Sequence, residues 1–164
     1  RLAYEQSGMN IGLHGALVQW AGRGILLVGE SGAGKTTCAL EIARRGGVWV
    51  ADDLVMVTDG PDGRVWGKAH EKIRDLAWLP VEGIFSIPGR YPGWRVAGEC
   101  RIDCVVALIR GPAREGGQYL AGSRRQALID RHTLYFSVMV DKDVRKTVMR
   151  IRRCLRRPGG REGS

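Results

Sequence analysis

The chain has 164 residues, 44% hydrophobic and 26% charged, a composition that excludes a disordered or fibrous protein and leaves room for one domain with a sizeable core. No apolar run approaches the roughly 20 residues of a bilayer span, and the opening Arg1-Leu2-Ala3-Tyr4-Glu5 lacks a signal peptide's apolar stretch, so no membrane partner is expected and the expected location is the cytoplasm. The formal net charge of +9 favours acidic or phosphate-bearing partners and permits weak, sequence-independent nucleic-acid binding.

The first residue is not Met, and the residues before Met9 read either as a tag remnant or as the end of an upstream segment. Residues 11–20 alternate small and apolar side chains and lead through Ala21-Gly22-Arg23-Gly24 into the run Ile25-Leu26-Leu27-Val28, predicting an antiparallel hairpin that carries His14. From its position alone, a strand histidine reads as structural rather than catalytic.

Next comes Gly29-Glu30-Ser31-Gly32-Ala33-Gly34-Lys35-Thr36, which meets every required position of G-x-x-x-x-G-K-[ST]. Its context fits, because a strand-length apolar run precedes it and residues 37–45 read as a helix beginning at Thr37. In such a loop the glycines let backbone N–H groups aim at phosphate oxygens, and the helix presents the positive end of its dipole to the same anion. Lys35 would reach the β- and γ-phosphates of ATP, and the Thr36 hydroxyl would bind the accompanying Mg²⁺. Nucleotide binding is therefore predicted for Gly29, Glu30, Ser31, Gly32, Ala33, Gly34, Lys35, Thr36 and Thr37.

The helix ends at Gly46-Gly47, and Val48-Trp49-Val50-Ala51 forms a short strand followed at once by Asp52-Asp53. A helix of about eleven residues travels roughly 16 Å away from the phosphates, and six extended residues at roughly 3.3 Å each bring the chain back. The acid pair should thus lie beside the loop, where carboxylates can hold a metal or accept a proton. Leu54-Val55-Met56-Val57 and Arg64-Val65-Trp66-Gly67 read as a hairpin around the turn at 59–63.

Residues 69–79 are predicted helical up to Pro80, with Ile73, Leu76 and Ala77 on one side, His70 and Glu71 at the surface, and a strand over 81–87 followed by a loop over 90–98. The nearly continuous apolar run at 101–109 is the clearest buried strand and should be central. A strand at 118–120 and a short helix at 123–129, with Arg124 and Arg125 at its start, should precede the strand 134–140. A basic helix over 143–155 then buries Val144, Val148, Ile151 and Leu155, capped by Asp141 or Asp143. Residues 1–157 form one domain in this reading, and 158–164 a fraying tail. Cys38, Cys100, Cys104 and Cys154 lack zinc-like spacing and read as reduced, buried thiols.

Several of these stretches together resemble the catalytic, C-terminal domain of HPr kinase/phosphorylase, a bacterial serine kinase family. They are Leu13-His14-Gly15 with Ala16-Leu17-Val18, the phosphate loop, Ala39-Leu40-Glu41 with Arg45-Gly46, and Val50-Ala51-Asp52-Asp53; a weaker likeness continues through Glu71-Lys72-Ile73-Arg74, Gly83-Ile84 and residues 134–155. The resemblance implies an α/β fold, a phosphoenolpyruvate-carboxykinase-like P-loop core with a mixed sheet and flanking helices. It also implies ATP and Mg²⁺ as cofactors, and as partner HPr or another small protein or peptide bearing a serine. On it, His14 lies near the transferred phosphate, Asp52 positions Mg²⁺, and Asp53 takes the serine proton, although the two Asp roles could be exchanged. Arg145 falls loosely on a phosphate- or substrate-contacting Arg, and the hexameric long forms imply a homo-oligomer.

Where the family shows Glu-Ile-Arg-Gly-x-Gly, this chain has Trp78-Leu79-Pro80-Val81-Glu82-Gly83, with the acidic and Arg positions lost. The family's phosphorolysis reaction, attributed to that region, is left open. Two alternatives stand beside an HPr kinase: a related kinase of another peptide or small-molecule acceptor, and a nucleotide-binding regulatory module that has lost turnover. Nucleic-acid binding comes last, since the basic terminal helix carries no recognised motif.

Overall fold

A computed structural model describes residues 10–60, 63–111 and 133–156. Twelve strands are found among them: β1 (Asn10–His14), β2 (Ala16–Trp20), β3 (Arg23–Gly29), β4 (Val48–Ala51), β5 (Leu54–Asp59), β6 (Val65–Ala69), β7 (Leu76–Leu79), β8 (Gly83–Ser86), β9 (Arg95–Val96), β10 (Glu99–Arg101), β11 (Cys104–Ile109) and β12 (Leu134–Met139). The helices are α1 (Lys35–Arg44), the single turn α2 (Ile87–Arg90) and α3 (Val144–Arg156).

A six-stranded sheet in the order β12-β11-β3-β2-β4-β9 forms the middle layer. All its neighbours pair parallel except β2, which runs antiparallel to both β3 and β4. Five strands therefore point one way, and the mixed sheet places the ends of β3, β4, β11 and β12 on one edge, together with the start of β2. On one face lie α1 and α3, over a core that includes Val18, Ile25, Leu27, Ile42, Trp49, Val106, Leu108, Val148 and Ile151. On the other lies an antiparallel sheet, β1-β5-β6-β10, over a second core with Leu13, Leu17, Leu26, Val28, Val50, Val55, Val57, Val105 and Ala107. Successive residues of β3 and β11 alternate between these two cores. Because both faces are covered, those strands read as unbroken apolar runs rather than as an alternating pattern.

The fold is thus mixed α/β with a mixed sheet, and the β2–β3 and β5–β6 hairpins form as the sequence predicts. Four expectations are corrected. Residues 11–20 are two strands in different sheets, since β1 pairs with β5 while β2 pairs with β3 and β4. They are joined by Gly15, where a Cβ would sit 2.6 Å from the Leu27 carbonyl oxygen, so only glycine lets the chain cross so close to β3. The 101–109 run is likewise divided between β10 and β11, whose six residues are all buried.

The helix expected over 69–79 is a short 3-10 turn at Glu71–Ile73 followed by β7. The apolar spacing of Ile73, Leu76 and Ala77 suits either period, but Asp75 adopts φ 64° and breaks the helical path. Cross-strand pairing of Ala77 with Phe85 and of Trp78 with Ile84 then decides for a hairpin. Within the loop expected over 90–98, Arg95 and Val96 add a short edge strand to β4.

Helix α3 forms where expected, with Thr147, Val148, Ile151 and Leu155 buried. Asp143 caps it, its Oδ1 accepting the Arg145 backbone N–H at 3.0 Å, while Asp141 accepts the Asp143 N–H. No helix among the described residues is long and apolar enough to cross a membrane. The strand at 118–120, the helix at 123–129, Arg124, Arg125, the residues before Met9 and the tail 158–164 lie outside the described residues.

Candidate active site

The common edge of the six-stranded sheet gathers the sequence-predicted residues. Gly29 ends β3, and Gly34 opens α1 in a left-handed conformation, φ 101°. A side chain at Gly34 would resist that turn, and no side chain caps the N–H groups of the first turn that follows it. The loop thereby aims its backbone donors and the positive end of α1 outward at the carboxyl edge of the sheet.

Register places the acid pair there as well. Strand β4 returns parallel to β3, so Asp52 leaves it on the loop's side of the sheet, and the Thr36 hydroxyl donates to Asp52 Oδ1 at 2.8 Å. Asp52 is only 3% exposed. Its other oxygen, Oδ2, accepts the Trp78 backbone N–H at 3.3 Å. Burial pushes the Asp52 carboxyl above the usual carboxylate range, against hydrogen bonds from Thr36 and the Trp78 and Asp53 N–H groups, while the Asp53 charge raises it further.

Asp53 occupies the crossover from one sheet to the other at φ 70°, a conformation that costs a non-glycine residue energy and so commonly accompanies function. Its carbonyl accepts the Gly15 N–H at 3.2 Å. Across the β1–β5 ladder, where His14 pairs with Leu54, His14 Nδ1 comes within 4.0 Å of Asp53 Oδ1. Both side chains face solvent, 81% and 74% exposed.

Lys35 folds back over the loop, its Nζ donating to the carbonyls of Gly29 at 2.8 Å and Glu30 at 3.2 Å. Burial lowers its pKa, opposed by the charges of Asp52 and Asp53. A cleft of about 530 Å³ opens on the far side of the loop, lined by Gly32 to Gly34, Thr37 and Cys38 together with residues that follow β11 and β12. Its position outside the carboxyl ends of parallel strands is where open α/β sheets bind ligands.

Two cations of that cleft, Arg110 and Lys142, escaped the sequence reading. Arg110 directly follows the buried run of β11 and its guanidinium donates to the Gly32 carbonyl. A cation closing a central strand was a usable signal, but it acquires meaning only once β11 is known to lie beside β3. Arg145 is the one candidate the fold leaves apart. Its guanidinium donates to both oxygens of Asp143, and it lines a separate groove with Lys146, Met149, Arg150 and Arg153.

The donor set fits Mg²⁺. Thr36 Oγ1 and Asp52 Oδ1 are hard oxygens 2.8 Å apart, and the carboxylate is buried, 3% exposed. No group of three or more His, Cys, Asp or Glu among the described residues could hold a metal by itself. This accords with a Mg²⁺ shared between one or two protein oxygens and substrate phosphates.

Comparison with known proteins adds independent findings. The chain is 39% identical over 95 residues to the HPr kinase/phosphorylase of Caldicellulosiruptor bescii, a match over 58% of this chain and 30% of that protein. It is 38% identical over 104 residues to the HPr kinase/phosphorylase of a Thermoanaerobacter species, over 63% of this chain and 34% of that protein. The matched region thus spans about a third of these curated relatives. The solved structure of the Hpr(Ser) kinase/phosphatase from Coxiella burnetii superposes with a TM-score of 0.57 at 18% identity, covering 64% of this chain and 65% of that one, a likeness of fold. The family model for the HPr serine kinase C-terminal domain matches residues 5–142, most of the chain, and the protein therefore belongs to that family.

Proposed function

We propose that this chain is an ATP- and Mg²⁺-dependent serine kinase with a phosphoenolpyruvate-carboxykinase-like P-loop core, transferring the γ-phosphoryl group of ATP to a serine of HPr or of another small protein or peptide. The observation that carries this reading is the Thr36–Asp52 contact beside Asp53 and His14: it joins a nucleotide-type loop to an acid pair at one edge of the sheet.

In this reading the loop N–H groups and the start of α1 bind the phosphates, and Lys35 exchanges its loop carbonyls for phosphate oxygens. Thr36 and Asp52 hold Mg²⁺, which when bound neutralises charge on the β- and γ-phosphates. Asp53, exposed and held outward by its left-handed backbone, accepts the proton from the serine hydroxyl. The serine oxygen forms a bond to the γ-phosphorus as the bond to the β–γ bridging oxygen breaks, leaving ADP with that electron pair. His14 donates toward the transferred phosphoryl oxygens and orients Asp53. Arg145 serves as a substrate contact only from the outer face of α3.

Replacing the proposed base tests the assignment. Asp53→Asn should cut phosphoserine formation from labelled ATP by roughly 10²–10⁴-fold while ATP still binds; undiminished transfer would end the base assignment. The lost Glu-Ile-Arg positions at residues 78–83 favour one further reading, a nucleotide-binding regulatory module. ATP binding by the unaltered chain without transfer to HPr or to any serine peptide would establish that instead.

A further inference from the structure

The phosphate loop is built from residues that do not hold a shape by themselves. Gly32 and Gly34 sit at positive φ, 79° and 101°, and glycine loses more conformational freedom on ordering than any other residue. A backbone hydrogen bond ties the loop internally, from the Ala33 N–H to the Glu30 carbonyl at 3.0 Å. Two cations add to it. Lys35 Nζ donates to the Gly29 and Glu30 carbonyls from within the loop, at 2.8 and 3.2 Å. Arg110 reaches in from outside, its guanidinium donating to the Gly32 carbonyl. A Cβ placed on Gly32 would stand 3.7 and 4.0 Å from the two terminal guanidinium nitrogens, so the whole head of the side chain lies against that glycine.

The two cations differ in what a nucleotide does to them. In the proposed reaction Lys35 leaves its carbonyls for phosphate oxygens, so the loop loses that support as the ligand arrives. Arg110 has a separate root. It follows β11, whose six residues are all buried and which pairs in parallel with β3 from Cys104 on Ile25 to Leu108 on Gly29. The strand that carries the Arg is therefore in fixed register with the strand that opens the loop. Its charge persists at any working pH.

We infer that Arg110 is a positioning residue for nucleotide binding: rooted on β11, it fixes the phosphate loop through the Gly32 carbonyl in the shape that presents backbone N–H groups to phosphate. It does so before a ligand is bound and after Lys35 has let go. The inference rests on the nucleotide-binding part of the kinase reading and adds to it a residue outside the glycine pattern. Its contribution is preorganisation. A ligand that meets an ordered loop does not have to order it, and every ligand gripped by the loop N–H groups benefits equally, whatever its base. A direct phosphate contact would follow the ligand's charge and fade with salt, and a contact to the nucleoside would vanish with the nucleoside.

Two variants of the whole chain separate these cases: Arg110→Ala, and Arg110→Met, which keeps the apolar stem and removes every donor. Calorimetric titration with Mg²⁺ and ATP, ADP or inorganic tripolyphosphate should show each ligand weakened roughly three- to tenfold, the loss expected of one exposed hydrogen bond. At about 300 mM salt, where the field of an exposed charge is screened, the three losses should persist and agree within about twofold. Exchange of the Ala33 amide in the free chain should accelerate by a similar factor. Arg110→Lys, which restores a cationic donor, should recover both readouts to within about twofold of the unaltered chain. The thermal midpoint should move by no more than about 2 °C.

A loss confined to ATP and ADP, with tripolyphosphate unaffected, would assign Arg110 to the nucleoside and overturn the positioning role. A loss that disappears at high salt would mark a charge acting from a distance and overturn it too. So would unchanged affinity in both variants, or a midpoint lowered by more than about 5 °C in both, which would make the residue a support of folding. Each of these results leaves the kinase reading standing. An unaltered chain that binds none of the three ligands would overturn both. Binding with the expected dependence on Arg110, but without transfer from labelled ATP to HPr or a serine peptide, would keep the positioning role and remove the kinase.

Discussion

At the scale of single residues, environment separates groups that the sequence alone makes equivalent. Asp52 and Asp53 are neighbours of identical chemistry, yet one is buried against Thr36 and the Trp78 N–H while the other is turned outward at positive φ. Opposite surroundings for adjacent carboxylates are a natural basis for dividing metal-holding and proton-accepting roles. The cysteines give a plainer case. Burial pushes the thiols of Cys38, Cys100 and Cys104 up to about 12, so at pH 8 only about one in ten thousand is thiolate. A neutral thiol reagent should therefore label these three at pH 8 only on unfolding, and native labelling within minutes would contradict the burial described.

At the scale of elements, local sequence decides where pairing and periodicity agree, and tertiary partners decide where they do not. The β2–β3 hairpin has a two-residue turn between paired Trp20 and Arg23, with φ of 52° at Ala21 and 76° at Gly22, the signs a type I′ turn requires. Gly22 suits that conformation and Ala21 does not. Ala21→Asn should therefore stabilise the protein by about 0.5–1 kcal/mol and raise the thermal midpoint by ~1–4 °C; Ala21→Val should lower it. Both are read by calorimetry. Residues 69–79 show the opposite case, since their apolar spacing suited a helix and the hairpin partner at residues 83–86, not the segment itself, made β7 a strand.

At the scale of the whole molecule, a sheet covered on both faces determines what charge and surface can do. The basic residues of α3 face away from a buried stripe of Thr147, Val148, Ile151 and Leu155, and with a net charge of +9 they make weak polyanion binding unavoidable. A generic DNA duplex should accordingly bind weakly, and its affinity should fall steeply between 50 and 200 mM salt. Sequence-specific binding at submicromolar affinity in 150 mM salt would show instead that α3 reads nucleic acid.

The sequence by itself determined the glycine loop, the helix behind it and the return of the chain to Asp52-Asp53, because all three follow from local turn chemistry and short path lengths. It also determined β3 and β11 as buried strands, since continuous apolar runs follow directly from burial on two faces. Only the tertiary structure decided that β1 and β2 part company at Gly15, that residues 69–79 pair as a ribbon, and that Arg110 and Lys142 face the loop from β11 and β12. Those facts depend on which strand lies beside which. Contacts between segments as much as 79 residues apart, such as the Gly24 N–H on Asp103, settle that order, and no local pattern records it.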